Sequence, residues 1–186
     1  MRIISGNFKS KKLFLPTNEK TRPLKDLVKE SIFNLINHSK KININLKESF
    51  VLDIFSGSGS FGIECLSREA KKVIFIENYQ EALNILEKNL KLLKNISNYE
   101  IIKDDFFNYI DSIKTTEFKF NIIFIDPPFK ELRINEILEK IIKKKILTEN
   151  GIIIIHRHKK DSIKITDKVN IIENRNYGIS NIFFIN

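Results

Sequence analysis

The sequence predicts an α/β fold: a seven-stranded, mostly parallel sheet with helices on both faces and an antiparallel strand at one edge. Short apolar runs (FVLDIF, VIFI, IIFI, GIIII) alternate with segments of helical period. A glycine-rich turn, SGSGSFG, follows the first run and opens a helix. Several runs end in an acidic residue, and strand then helix, repeated, is the pattern of a parallel sheet.

With 186 residues, 42% of them hydrophobic, the chain can bury one good-sized core, and a single domain is expected over 1–186. No apolar run approaches a membrane span, and MRIISGNFKSKK carries charges where a signal peptide needs an apolar centre, so a cytoplasmic location and no membrane are expected. A monomer is expected. The only cysteine, Cys65, reads as a small core residue. The net charge of +9 favours a polyanionic partner. Residues 1–45 hold ten Lys or Arg against three acids, so seven of the nine excess charges precede the first core strand. That places the basic face, with Arg2, Lys9, Lys11, Lys12, Lys25 and Lys29, in an N-terminal arm and helix.

Taken in order, residues 2–15 alternate loosely and predict a hairpin or extended arm. Pro16 to Pro23 is a connector. From Lys25 to about Asn37, Leu27, Val28, Ile32, Leu35 and Ile36 recur at helical spacing, giving one apolar and one basic face. A polar linker, 38–49, leads to the core. Strands are expected at about 50–55, 72–77, 99–103, 120–125, 151–156, 163–172 and 180–185, and helices at about 60–68, 79–94, 106–114 and 132–145. The last two strands, joined only by a polar link with Tyr177-Gly178, should form an antiparallel pair. Lys143–Lys145 and Arg157–Lys160 read as solvated element ends, and His156 and His158 lack metal-ligand spacing, so no metal is expected.

Open α/β sheets bind ligands at the carboxyl ends of their strands. Gly57, Gly59 and Gly62 satisfy G-x-G-x-x-G, with Glu77 about twenty residues on, which alone would also suit a dinucleotide. Asp53 turns the reading: a carboxylate inside the strand repels a pyrophosphate but suits the ammonium of a methionine moiety, and without a partner it would be costly to bury. D-x-F-x-G-x-G resembles the first motif of S-adenosylmethionine-dependent methyltransferases, so Asp53, Phe55, Gly57, Ser58 and Gly59 are expected to line the cofactor. Glu77 would take both ribose hydroxyls, Asp105 the adenine amino group, and Phe106 would lie against the adenine ring. In Asp126-Pro127-Pro128-Phe129 the prolines fix the backbone so that the Asp126 carboxylate and the Pro127 carbonyl both face the site. Two adjacent acceptors suit an exocyclic amine, and Phe129 would stack on its base.

VLDIFSGSGSFGIECLSREA and IDPPF, with MRIISGNFKSKKL and TRPLKDLVKESIFNLI, resemble the bacterial 16S ribosomal RNA guanine-N2 methyltransferases, the family named for guanine 966. The resemblance runs from Arg2 to the Tyr177-Gly178 link. It implies a Rossmann-like class I methyltransferase with its S-adenosylmethionine-binding core over 46–186. It also implies transfer to a guanine N2 amine in ribosomal RNA of the assembled small subunit, with Arg22 and Pro23 bordering the cofactor. Ser5, Leu24, Lys29 and Glu69 depart from the family's usual glycine, threonine, arginine and glycine. A DNA adenine-N6 methyltransferase and a non-catalytic RNA-binding module are the other readings open to the sequence.

Overall fold

The computed structural model describes residues 1–16, 24–113, 119–128, 131–161 and 165–186. Arg22, Pro23 and Phe129 lie outside the described residues, as does the start of the strand expected at 163–172. Seven strands form one sheet: β1 (Phe50–Ile54), β2 (Lys72–Ile76), β3 (Tyr99–Ile102), β4 (Phe120–Ile125), β5 (Leu147–His158), β6 (Ile171–Tyr177) and β7 (Ser180–Ile185). The helices are α1 (Asp26–His38), α2 (Ser60–Ser67), α3 (Gln80–Lys91), α4 (Phe106–Ser112) and α5 (Ile134–Lys144).

The strand order is β3-β2-β1-β4-β5-β7-β6, parallel from β3 to β5. The chain leaves β1 toward β2 on one side and later returns to β4 on the other. The switch point, where such sheets open a crevice, therefore lies between the carboxyl ends of β1 and β4.

The expected antiparallel pair closes one side, with the strand that opposes β5 being β7, one in from the edge. The physical reason is composition. Ile182, Phe184 and Ile185 of β7 are buried, whereas β6 (IIENRNY) is polar and half-exposed, and suits an edge. β6 begins eight residues later than expected, at Ile171.

Strand residues alternate between two apolar layers. Val51, Phe75, Phe124 and Ile154 face α1, α2 and α3, while Leu52, Ile74, Ile123 and Ile153 face α4 and α5. A column of stacked rings, Phe33–Phe61 at 5.3 Å and Phe61–Phe124 at 4.0 Å, ties α1 through α2 to β4. Gly62 makes this docking possible, because a Cβ there would lie 2.3 Å from the Phe75 ring.

The N-terminal segment is a hairpin, closed by Ile3 N–H to the Lys11 carbonyl (2.9 Å) and Ser10 N–H to the Ile3 carbonyl (2.8 Å). It is fastened onto α2. The fully buried Glu64 accepts from Ile4 N–H (2.7 Å), Ser5 N–H (2.9 Å) and Arg68 Nε (2.8 Å), and Ser67 Oγ donates to the Ser5 carbonyl (2.6 Å). Gly6, at φ +83°, lies so close to α2 that a Cβ would fall 1.9 Å from the Ser67 carbonyl oxygen.

Lys29 belongs to the same seam. Expected on a basic, RNA-facing surface, it is fully buried, with Nζ donating to the Arg2 carbonyl (2.8 Å) and Ser60 Oγ (3.3 Å), 3.6 Å from Glu64. Burial lowers its pKa, and the charges of Glu64 and Asp26 pull it back up. The helical period places Lys29 one residue from Val28 on the buried side, so the face is set by packing rather than by residue type. Glu69, where the family usually has glycine, takes φ +68°, the left-handed conformation that ends α2.

Candidate active site

The parallel register lines up Ile54, Ile76, Ile102, Ile125 and Ile155 in one row across five strands. The next residue of each strand forms a rim at the carboxyl end: Phe55, Glu77, Lys103, Asp126 and His156. Four strand ends of this rim were read from the sequence. The fifth carries the same signal, a buried apolar run ending in a polar residue, and His156 is the functional candidate that reading missed.

At the glycine turn the two left-handed glycines do different jobs. Gly57 (φ +55°) faces open space: a Cβ would meet nothing nearer than the Phe55 carbonyl oxygen at 3.9 Å, so a ligand can lie against the backbone here. Gly59 (φ +78°), expected to do the same, is instead pressed on α3, where a Cβ would lie 2.3 Å from Leu86 Cδ1. Phe55 also has positive φ, +58°, and Ser58 is buried, its carbonyl held by Asn89 Nδ2 at 2.9 Å.

Asp53 is 1% exposed, and it has the partner the sequence reading lacked: Oδ2 accepts from Gly62 N–H at 2.9 Å. Gly62 is the third residue of α2, so Asp53 caps that helix from the neighbouring strand and sits at the positive end of its dipole. Burial pushes its carboxyl well above the usual carboxylate range. The Gly62 N–H opposes this, and Asp126 and Glu77 push the same way as burial.

Glu77 is committed to the backbone as well. Oε2 accepts from Gly57 N–H (2.8 Å), and Oε1 from Asn78 N–H (3.0 Å) and Tyr79 N–H (2.8 Å). It stitches the glycine turn to the end of β2, leaving one lone-pair direction, on Oε2, for a ribose hydroxyl rather than a free fork. Asp105 caps α4 through Phe107 N–H at 2.7 Å. Phe106, expected against a ligand ring, is 1% exposed in the layer with Leu52 and Ile54, whereas Phe107 is half-buried.

Asp126 lies at the switch point, its N–H 3.4 Å from the Ile54 carbonyl. Oδ1 is 2.8 Å from His156 Nδ1, and His156 Nε2 is 2.9 Å from Ser180 Oγ. Pro127 is buried, and among the described residues no donor is bonded to its carbonyl. The Pro128 carbonyl accepts from Glu131 N–H (2.9 Å) and Arg157 Nη1 (3.3 Å). Arg157 was expected as part of a solvated end. It is 2% exposed and braces the proline turn, with Asp161 Oδ2 3.0 Å from its Nε. Among the described residues no group of three or more His, Cys, Asp or Glu is placed to hold a metal, and no helix is long and apolar enough to cross a membrane. Burial pushes the Cys65 thiol well up, which suits a core residue.

Of the basic residues expected to meet a polyanion, Arg2, Lys9, Lys12 and Lys25 are exposed. Lys11 Nζ donates to the Leu92 carbonyl at 2.7 Å, and Lys29 is buried.

A family model described as Conserved hypothetical protein 95 matches residues 1–186. The chain is 31% identical to ribosomal RNA small subunit methyltransferase D of Haemophilus influenzae over 96% of its own length and 90% of that protein's. It is 35% identical to a provisionally named ribosomal RNA methyltransferase of Bacillus subtilis, YlbH, over 83% of this chain and 80% of that one. Its fold matches the solved structure of a provisionally named methyltransferase of Escherichia coli with a TM-score of 0.80 and 25% identity, over 100% of this chain and 96% of that one. The chain thus belongs to the family described as Conserved hypothetical protein 95 and is kin to the small-subunit ribosomal RNA methyltransferases D, the relationship its N-terminal and DPPF segments implied.

Proposed function

We propose that this protein transfers a methyl group from S-adenosylmethionine to the N2 amine of a guanine in small-subunit ribosomal RNA. The observation that carries this reading is the pair of acceptors at the switch point. The Asp126 carboxylate and the Pro127 carbonyl stand beside the glycine turn that follows β1.

The turn suits S-adenosylmethionine at Gly57, whose backbone is open, and at Glu77 and the α4 cap Asp105, each with acceptor capacity left over. When bound, S-adenosylmethionine supplies a methyl group on a positively charged sulfur. The residues of the chain do the rest by position. Asp126 and Pro127 accept the two amine hydrogens and help the nitrogen, whose lone pair is delocalised into the base, to turn that pair toward the methyl carbon. Asp126 and Pro127 hold the amine until its surplus proton leaves, while the bound group would give up its methyl with the S–C electron pair staying on sulfur. No covalent enzyme intermediate and no strong base are needed.

The ribosomal substrate is supported by the names of the relatives and by the exposed Arg2, Lys9, Lys12 and Lys25. The test is transfer of labelled methyl to undermethylated small ribosomal subunits, followed by nucleoside analysis. Label in N2-methylguanosine is the expected result. Label in N6-methyladenine of DNA would replace the substrate assignment, and failure to bind S-adenosylmethionine in a titration would remove the enzymatic one.

A further inference from the structure

Resting on the methyl-transfer reading, we infer that His156 is a positioning residue that sets the orientation of Asp126, and that Ser180 in turn sets the orientation of His156. The three side chains form one line at the edge of the candidate site: Asp126 Oδ1 to His156 Nδ1 at 2.8 Å, and His156 Nε2 to Ser180 Oγ at 2.9 Å. Each comes from a different strand end. Asp126 follows β4, His156 lies on β5 beyond the aligned row, and Ser180 opens β7.

The chemistry of the line is specific. A carboxylate only accepts, so the hydrogen between Asp126 and His156 sits on Nδ1. In the neutral ring Nε2 is then an acceptor, and the Ser180 hydroxyl donates to it. Asp126 therefore sets the tautomer, Ser180 anchors the far nitrogen, and the ring can neither flip nor swing without losing both bonds. His156 is only 13% exposed, and Asp126 20%, so water does not readily replace either partner.

The consequence falls on the reacting amine. With Oδ1 held by the imidazole, Oδ2 is the oxygen turned to substrate, and it pairs with the Pro127 carbonyl to make two acceptors for two amine hydrogens. Arg157, adjacent on β5, holds the carbonyl of Pro128 rather than that of Pro127. Consecutive β5 residues thus brace the residues on either side of Pro127 and leave its own carbonyl unclaimed by either. Because the geometry of an acceptor near the reacting atoms matters at the ångström scale, losing the brace should slow the chemical step by about 10²-fold.

The experiment compares the wild-type protein with His156→Leu, His156→Asn and Ser180→Ala, using S-adenosylmethionine titration and single-turnover transfer to small ribosomal subunits. His156→Leu should lower the transfer rate by about 10²-fold while leaving cofactor affinity and substrate KM within about twofold. His156→Asn, whose amide N–H stands near the place of Nδ1–H, should recover most of that loss. Ser180→Ala, which folds without disturbing Asp126 directly, should show a smaller loss of the same kind. A His156→Leu or Ser180→Ala protein that transfers at the wild-type rate overturns the inference, as does a His156→Asn protein no better than His156→Leu. Wild-type protein that binds no S-adenosylmethionine overturns the methyl-transfer reading itself, an outcome distinct from any variant result.

Discussion

The seam between the N-terminal hairpin and α2 and the rim at the ends of β4 and β5 both set an acid against a base inside the protein, and they are built to opposite specifications. At the seam, Glu64 is fully buried and accepts from two backbone N–H groups and Arg68, with Lys29 close by and fully buried as well. Three hydrogen bonds and the Lys29 ammonium 3.6 Å from Oε2 enclose the carboxylate away from water, so the pair can hold chain segments together and do nothing else. At the rim, Asp126 gives one oxygen to His156 and keeps the other in a side chain still 20% exposed. What separates a structural charge from a chemical one in this protein is unspent hydrogen-bonding capacity, since both kinds are paired and both are at least largely buried.

The largest break in that comparison is Glu64→Ala. It leaves the buried Lys29 with only Asp26, 4.0 Å away, as countercharge and frees two N–H groups, so unfolding free energy should drop by roughly 3–5 kcal/mol in a denaturant titration. Lys29→Met, which leaves Glu64 all three of its hydrogen-bond donors, should cost distinctly less.

Asp126→Ala reverses the pattern. Folding by circular dichroism and affinity for S-adenosylmethionine should be retained while methyl transfer falls by about 10²–10³-fold, the scale of removing one preorganised partner of a reacting group. Loss of cofactor binding in a folded protein would instead make Asp126 a cofactor ligand.

Asp53 stands between the two cases, buried like Glu64 but lying beside the glycine turn. Its folded-state pKa is raised, so the folded protein holds that proton more tightly than the unfolded chain, and this group's contribution to stability declines as pH rises from the ordinary carboxylate range through the raised value. Asp53→Asn keeps an oxygen for Gly62 N–H and removes the charge. The melting temperature of the variant relative to wild type should therefore increase with pH across that window, and a constant difference would mean the carboxyl is not carrying this cost.

The smallest effect on the fold is expected at the surface. Reversing Lys9, Lys12 and Lys25 to glutamate should leave stability and cofactor binding unchanged but flatten the salt dependence of RNA binding by a slope of ~2, at about 0.7–0.9 per phosphate contact. An unchanged slope would move the RNA surface away from the hairpin.

The same distinction explains what could be read from the sequence. The placement of Asp53, the glycine turn and Asp126-Pro127 at neighbouring strand ends was legible because it rests on short spacing, within one strand and its following turn. Even there the individual roles shifted: Gly59 serves helix docking, and Asp53 caps α2. Lys29, Glu64 and Arg157 were not legible as partners, because the bonds that tie them to the hairpin and the proline turn span 27 to 60 residues and depend on which face of a helix or strand packs inward. A lysine among lysines looks like surface, and only the packing of Val28 and Ile32 makes Lys29 interior. His156 was within reach, since it ends the run Gly151–Ile155 as Asp126 ends β4. Metal-ligand spacing does not detect a histidine whose role is to hold a carboxylate.

The antiparallel course of β7 has a practical consequence for engineering this protein. Because β7 runs against β5, the hairpin turn at Tyr177–Ser180 is carried to the same end of the sheet as Asp126 and the glycine turn. The turn after α5, at Lys145, and the linker before β1 open at the other end. An inserted loop, affinity tag or fluorophore at Gly178 would stand beside the incoming substrate and report on it, at the hazard of blocking it. The same insertion at Glu149–Asn150, exposed at the far end of the sheet, would be a silent handle for immobilising the protein with its working edge facing outward.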